Sequence, residues 1–328
     1  MSALPVTLAS ELGDSDAEQE WLIEGLWSRA AVGVLGGEPK CCKSFLALDA
    51  AVSVASGRPC LRTFPVRRAG PVLVFPAEDS HAVVRRRLEG IAAAAGVALG
   101  DLPVHVITAP KLMLDSPRDR RSLDETVAAI KPALLILDPF IRLHSIDENV
   151  AAEVAPILGY LRELQRRHDV AIMLVHHARK DSRGARPGQA LRGSSDLHGW
   201  GDSNLYLRRT SAGLRLSIEH RAAAGRDNVP LELAVHETGP TLRVIDDDHV
   251  LIDEQADDQP ADRILETLSA CNRPLERREL KQRCSMRAAT FSSQLRALVD
   301  SHRVERTSDG RYRLPVGDGP VPVPVPVP

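Results

Sequence analysis

Residues 36–44 bring glycine, lysine and serine together in the order of a phosphate-binding loop. The segment reads Gly36-Gly37-Glu38-Pro39-Lys40-Cys41-Cys42-Lys43-Ser44. In such a loop successive backbone N–H groups turn toward an anion, and the N-terminus of the following helix adds a partial positive charge. We expect Lys43 to reach the β- and γ-phosphates of a nucleotide and the Ser44 hydroxyl to ligate Mg²⁺.

One position departs from the pattern G-x-x-x-x-G-K-[ST]. The match starts at Gly37, but Cys42 stands where the second glycine belongs. A glycine before the lysine lets the backbone curl close to phosphate without a Cβ atom. A cysteine is tolerated there if its φ is negative, and otherwise it weakens nucleotide binding. The broken match alone fits an ordinary loop as well as a nucleotide site, and we favour tolerance because the rest of the site is present.

A metal ligand and a water-activating group are expected where apolar runs end. Residues 134–137 are Leu-Leu-Ile-Leu and lead to Asp138, and residues 72–75 lead to Glu78. Buried parallel strands deliver their C-terminal residues to the crevice where ligands bind. We expect Asp138 to hold Mg²⁺ beside Ser44 and Glu78 to act as the base. The alternatives are that Asp138 only starts a turn and that Glu78 is a solvated loop acid.

A third apolar run, 171–175, ends in two histidines. Adjacent side chains on a strand point in opposite directions, so His176 and His177 are poorly placed to share a metal ion. We expect His176 to sense the nucleotide through a hydrogen bond and to relay its state to the loop that follows. A satisfied buried histidine is an equally good interpretation.

The loop at 179–188 is basic and rich in glycine and proline. Its cations suit contact with a phosphate backbone, and the absence of an aromatic residue predicts binding without sequence preference. A solvated surface loop is the alternative. The candidate nucleic-acid contacts here are Arg179, Lys180, Arg183 and Arg186.

The elements that must position these residues alternate along the chain. Short apolar runs and segments of helical periodicity follow one another from Trp21 to about Ile245, which is typical of a parallel α/β sheet. Pro156 should kink the last of these helices or mark a second start. The predicted strands are 32–35, 72–75, 104–107, 133–137 and 171–175, followed by partly antiparallel strands at 204–207, 214–218, 231–235 and 242–245. The predicted helices are 44–56, 80–95, 122–130 and 150–168.

Taken in order, these motifs resemble the RecA-like ATPases. The chain is most similar to the RepA-type hexameric replicative helicases of plasmids and to related mobile-element AAA-family ATPases. The resemblance implies a RecA-like α/β fold with a mostly parallel central sheet, binding of ATP and Mg²⁺, and a homo-oligomer, expected to be a hexamer around single-stranded DNA. The residues that carry it, within about 21–245, are 37–44, Glu78-Asp79, Asp138, His176-His177 and Leu191-Arg192-Gly193-Ser194.

The resemblance also implies a role for each matching residue. Lys43 and Ser44 would bind phosphate and magnesium, and Asp138 would be the Walker B acid. Glu78 would be the catalytic glutamate and His176 the sensor. The basic loop would line a central DNA channel.

In that family an arginine reaches from one subunit into the nucleotide site of its neighbour. Arg221 follows a late strand that resembles the carrier of this residue, and it is our candidate. Arg208 and Arg209 are rivals, and the alternative is that all three are ordinary surface charges.

The C-terminal part of the chain predicts a separate small unit. Helices at 263–268, 276–284 and 287–301, followed by a hairpin, resemble a winged helix. Between Arg273 and Arg313 there are eleven Lys/Arg against five Asp/Glu, a net charge of +6 that suits duplex DNA. Arg287 and Thr290 could face a groove, although winged helices also dock proteins. The expected domains are a flexible 1–18, an ATPase domain 19–246, an acidic linker 247–260, a winged helix 261–315 and a Val-Pro tail 316–328.

The bulk properties restrict the class of protein. The 328 residues carry a net charge of −2, so any contact with nucleic acid must come from local patches. The five cysteines are odd in number and show no C-x-x-C pair, which argues against a disulfide framework and a structural zinc site. No apolar run approaches a membrane span, and we expect a cytoplasmic protein without a membrane partner. The leading hypothesis is a DNA motor or replication ATPase, and the alternative is a DNA-binding regulator that uses ATP as an assembly switch.

Overall fold

The computed structural model describes residues 6–11, 20–177, 195–210, 213–236, 239–245, 260–271, 273–284, 288–301, 303–307 and 309–315. The chain divides into two compact units, Met1–His249 and Val250–Pro328. Each unit has its own hydrophobic core. None of the described helices combines the length and the apolar character that crossing a membrane requires.

The large unit is built on a nine-stranded sheet with the order β11-β10-β9-β8-β3-β7-β6-β4-β5. Strands β3 to β8 pair in parallel, and β8 to β11 pair in an antiparallel manner. The predicted α/β class with a mostly parallel central sheet is therefore confirmed. The strands, including an N-terminal hairpin of β1 and β2, are β1 (Trp21–Ile23), β2 (Trp27–Ser28), β3 (Val32–Gly37), β4 (Val72–Pro76), β5 (Val104–Val106), β6 (Leu134–Asp138), β7 (Ala171–His177), β8 (Ser203–Thr210), β9 (Gly213–His220), β10 (Arg226–His236) and β11 (Gly239–Val244).

Helices cover both faces of this sheet, which explains why its parallel strands are continuous apolar runs. Alternate side chains of one strand enter opposite core layers, so that Leu134 and Ile136 pack with the helix of residues 43–56 and Leu135 and Leu137 pack on the other side. The helices of this unit are α1 (Lys43–Ser56), α2 (His81–Ala94), α3 (Pro117–Ile130), α4 (Ala151–His168) and the short α5 (Ser195–Trp200).

Two helices differ from the prediction. Helix α3 begins at Pro117 rather than near residue 122, because Ser116 caps it and proline suits the first helical position. Helix α4 runs without interruption through Pro156, so the expected second start is wrong. Its buried face, which includes Ile157 and Leu161, packs on the sheet and offsets the backbone hydrogen bond that proline removes.

Within the residues that the structure describes, the small unit contains three helices and an antiparallel hairpin. The helices are α6 (Pro260–Cys271), α7 (Arg277–Cys284) and α8 (Ala288–Asp300), and the strands are β12 (Glu305–Arg306) and β13 (Tyr312–Arg313). Its core includes Ile264, Leu280, Phe291, Leu295 and Tyr312. The small unit therefore contains the predicted order of three helices and a hairpin.

Candidate functional site

Four parallel strands end together at one edge of the large sheet. The register pairs Gly37 of β3 with His177 of β7, and Pro76 of β4 with Asp138 of β6. The residues after these ends enclose a cavity of about 290 Å³. Its lining consists of Lys40, Cys41, Cys42, Lys43, Ser44, Phe45, Pro76, Glu78, Asp79, Arg87, Asp138 and His177.

The loop between β3 and α1 takes an unusual backbone path. Gly37 has a φ of 157°, and a Cβ atom there would lie 2.4 Å from the Leu207 carbonyl oxygen. Lys40 and Cys42 both have left-handed backbones, with φ of 65° and 68°. The condition under which we expected Cys42 to be tolerated, a negative φ, is therefore not met. A left-handed conformation costs a residue with a Cβ atom about 1–2 kcal/mol. Cys42 therefore adopts a backbone conformation that normally favours glycine.

Lys43 is almost completely buried under this loop, with an exposure of 5%. Its Nζ atom donates hydrogen bonds to the carbonyl oxygens of Gly37 (2.9 Å) and Glu38 (2.8 Å), and it lies 3.8 Å from Cys41 Sγ. Burial lowers the pKa of Lys43, and the nearby Cys41 and Asp138 oppose this shift. A buried ammonium held mainly by neutral carbonyls would gain an opposite charge from a phosphate, so the loop fits a nucleotide.

Ser44 and Asp138 form the oxygen pair expected of a magnesium site. Burial raises the pKa of Asp138 to about 6, although a hydrogen bond with the Ser44 side chain opposes the shift. The negative charges of Asp79 and Glu78 also raise this pKa, and Lys43 lowers it. A carboxylate that is costly to ionise gains from a bound divalent cation, and oxygen ligands suit Mg²⁺.

Glu78 lies at the rim of the cavity and is exposed. Its Oε1 atom accepts a hydrogen bond of 2.8 Å from Nε of Arg142, a residue that the sequence analysis did not select. The side chains of this ion pair keep 45% and 62% of their exposure, so Glu78 remains open to water. An exposed carboxylate at this position can contact a water molecule. Arg142, in the segment that follows β6, is its hydrogen-bond donor.

Arg87 is a second residue that the sequence analysis missed. It comes from α2, pairs with Asp79, and its guanidinium lies 4.9 Å from the centre of the Phe45 ring. Arg87 lies beside the buried face of α2 that includes Val84 and Leu88. The i, i+3 and i+4 spacing of these residues is the signal that could have placed Arg87 near the sheet.

The two histidines of β7 point in opposite directions, as their alternation predicts. His177 lines the cavity, and burial is the main cause of its lowered pKa. His176 has 1% exposure and lies on the other side of the strand, 5.9 Å from the Phe140 ring and 3.9 Å from Glu148. The structure therefore places His177, and not the predicted His176, among the residues that line the cavity.

The three candidate arginines lie at different ends of the sheet. Arg221 donates a hydrogen bond of 2.7 Å to the Gly199 carbonyl and lies 3.3 Å from Asp202, next to the beginning of β8. The phosphate loop lies at the opposite edge, where β8 ends, so Arg221 is not brought together with the other site residues. Arg209 is at that end of β8, and its charge acts on the Cys42 thiol. Arg208 is exposed and contacts Asn228.

The predicted nucleic-acid contacts fall almost entirely outside the described residues. This is true of Arg179, Lys180, Arg183, Arg186 and Arg287, and of the motif at 191–194. Thr290 is placed as a backbone position within α8.

Comparison with known proteins is consistent with this geometry. A family model described as "AAA domain" matches residues 2–183, which is more than half of the chain. A solved structure described as an ATPase domain is similar with a TM-score of 0.52 and 14% identity, over 65% of this chain and 85% of that one. The RadB recombinase gives a TM-score of 0.47 and 16% identity, over 66% of this chain and 92% of that one. The chain belongs to the AAA domain family, and its large unit has the fold of a RecA-like P-loop ATPase.

Proposed function

We propose that this chain is an ATP-hydrolysing, ring-forming DNA motor or replication ATPase of the RepA-helicase type. The observation that carries the proposal is the convergence of Lys43, Ser44, Glu78 and Asp138 on one cavity from three different strand connections. A lysine, a hydroxyl and two carboxylates in this order are the groups that phosphoryl transfer needs.

Each of these side chains has a separate task. Lys43 exchanges its carbonyl partners for phosphate oxygens, and the first N–H groups of α1 bind the same anion. Ser44 and Asp138 hold Mg²⁺, which supplies charge neutralisation at the phosphates. Glu78 orients the attacking water and accepts its proton. We transfer the sensor role from His176 to His177, because His177 lines the cavity.

We expect the arginine that reaches into the nucleotide site of the neighbouring subunit to lie at the C-terminal end of β8. Arg209 lies at the same sheet edge as the phosphate loop, and Arg221 is held by Asp202 at the other edge. Arg209 therefore replaces Arg221 as our first candidate in a ring of identical subunits, expected to be a hexamer.

DNA is the proposed partner at two places. The loop at 179–188 would contact single-stranded DNA through Arg179, Lys180, Arg183 and Arg186. The small unit, with three helices, a hairpin and its own core, supports a winged helix at 261–315 that binds duplex DNA. We retain the proposed division into an ATPase domain at 19–246, an acidic linker at 247–260 and separate segments at 1–18 and 316–328.

A second candidate is a DNA-binding regulator in which ATP only drives assembly. The observation that favours it is the left-handed Cys42, because a Cβ beside the phosphate position weakens the grip of the loop. The two candidates differ in turnover, since a switch binds ATP tightly and hydrolyses it slowly.

The proposal is tested by replacing the proposed base. Glu78→Gln should bind ATP with Mg²⁺ within about twofold of wild type and lose hydrolysis by a factor of about 10² or more. Glu89→Gln, which alters an exposed acid of α2 paired with Arg85, is the matched control and should hydrolyse ATP normally. Normal turnover by Glu78→Gln would remove Glu78 from the mechanism.

The DNA-motor part needs its own measurement. Wild-type turnover should rise with single-stranded DNA, and the mass in ATP should be that of a ring. Tight ATP binding with negligible turnover at saturating DNA would favour the switch instead.

A further inference from the structure

A buried cluster of titratable side chains lies directly behind the nucleotide-facing edge, and the proposed function does not use it. It consists of His144, Glu148 and His176, with side-chain exposures of 1%, 7% and 1%. Glu148 Oε1 lies 3.3 Å from His144 Nε2 and 3.9 Å from His176 Nδ1. Burying a carboxylate costs free energy unless the group is paired with an opposite charge or hydrogen-bonded. We therefore expect this cluster to have a role in the protein.

The cluster does not have the character of a metal centre. No group of three or more His, Cys, Asp or Glu side chains that could hold a metal ion is present in the part of the chain that the structure describes. The Phe140 ring packs against both imidazoles, at 4.5 Å from His144 and 5.9 Å from His176. The cluster therefore ties together two pieces of backbone, the segment after β6 and the end of β7.

The segment after β6 also reaches the proposed base. Residues 139–150, which we call the strap, start next to Asp138 and end where α4 begins. Arg142 of the strap donates a hydrogen bond of 2.8 Å to Glu78. Two residues later, His144 enters the buried cluster, so only a short stretch of chain separates the contact to Glu78 from the contact to β7.

The outer side of the strap is fixed to the protein body. The Leu114 N–H donates to the Leu143 carbonyl, and Asp115 accepts a hydrogen bond of 3.0 Å from the Ser145 N–H. At the far end the Glu153 carboxylate accepts a hydrogen bond of 2.9 Å from the Asp147 N–H. Close-packed interiors have low compressibility and transmit strain, so a shift at one contact of this segment can reach the other.

We propose that the strap mechanically links the end of β7 to Glu78, with Glu148 as a buried positioning residue and Arg142 as the residue that orients the base. The proposal rests on the proposed function, since it assigns the strap a role only if Glu78 acts on ATP. His177 follows His176 on β7 and lines the same cavity. The strap therefore contacts the site from both sides, through Arg142 to Glu78 and through Glu148 to the strand that carries His177.

The test is a double-mutant cycle in the full chain. Glu148→Gln keeps the shape of the side chain and removes its charge, and Arg142→Ala removes the contact to Glu78. Each should lower kcat by about tenfold while the dissociation constant for ATP with Mg²⁺ stays within about twofold. A tenfold change corresponds to about 1.4 kcal/mol.

The decisive result is the double variant. If Glu148 acts through Arg142, adding Glu148→Gln to Arg142→Ala should lower kcat by less than about twofold more. Residues that do not touch and are not linked act independently, and their effects then multiply. A hundredfold loss in the double variant would overturn the proposal.

Two matched controls separate positioning from a general loss of structure. Glu125→Gln alters an exposed carboxylate of α3, outside the strap and the cluster, and Arg121→Ala alters an exposed arginine of the same helix. Both should keep wild-type kcat, and a loss in Glu125→Gln equal to that in Glu148→Gln would contradict a role for the cluster. If Glu148→Gln does not fold, His144→Asn replaces it in the cycle. Failure of wild type to bind or hydrolyse ATP would instead refute the proposed function.

Discussion

Replacing Asp138 by asparagine should make the protein more stable and inactive. Burial raises the pKa of the Asp138 carboxyl to about 6, from an ordinary value of 3.8. A carboxyl with a higher pKa in the folded chain binds its proton more tightly there than in the unfolded chain. The stability that it contributes is fully present below about pH 4 and is lost as the pH rises through about 6.

The size of the effect follows from the difference between the two pKa values, which corresponds to about 3 kcal/mol. Asparagine carries no charge, but its amide group needs a new hydrogen-bond partner beside Ser44, and this reduces the gain. We expect Asp138→Asn to raise the free energy of unfolding by about 1–3 kcal/mol at pH 8. The difference from wild type should shrink below pH 6 and disappear near pH 4.

The measurement is urea unfolding with a chelator present, at a series of pH values. Tryptophan fluorescence reports on the large unit alone, because Trp21, Trp27 and Trp200 all belong to it. In a separate series without the chelator, adding ATP with Mg²⁺ should stabilise wild type more than Asp138→Asn, which lacks a proposed ligand of the metal ion.

The control is Asp79→Asn, an acid of the same cavity that is paired with Arg87. It should show no gain at pH 8, because it loses an ion pair. The reasoning is refuted if Asp138→Asn is less stable than wild type at pH 8, or if its gain does not depend on pH.

Three further predictions concern the backbone and a buried charge. Cys42→Gly should be about 1 kcal/mol more stable to urea than Cys42→Ala, because φ is 68° there; equal stabilities would contradict the left-handed loop. Arg62→Met should lower the free energy of unfolding by about 3 kcal/mol, since the fully buried Asp49 carboxylate loses its ion pair, and an unchanged urea midpoint would contradict this. Gly33→Ala should prevent stable folding, because a Cβ would lie 1.7 Å from a backbone oxygen of β8, while Gly159→Ala, with open space, should keep or raise the melting temperature.

The grouping of four predicted site residues at one sheet edge could be read from local sequence. Lys43, Ser44, Glu78 and Asp138 were selected because each follows an apolar run, and parallel strands bring their C-terminal ends to one edge. The cavity lining contains all four. Their common location could be predicted because it depends only on the direction of the strands and not on the packing of individual side chains.

Side-chain partners were less predictable. Arg87 and Arg142 come from α2 and from the strap, and their contacts with Asp79 and Glu78 depend on where those elements pack. To choose between His176 and His177, one must know which face of β7 lies toward the phosphate loop. Period-two alternation shows that the two differ but does not say which one faces the nucleotide.

The sequence by itself determined the order of the strands in the large sheet's chain path and of the main helices between them, because hydrophobic periodicity and the glycine–lysine–serine loop act over a few residues. It did not predict the hairpin of β1 and β2 or the short helix α5. Only the tertiary structure decided that Cys42 adopts a left-handed backbone, that Arg221 lies away from the phosphate loop and that Glu148 is buried between two histidines. These features depend on contacts between residues far apart in the chain, and local pattern carries no information about which distant side chains will share a buried space.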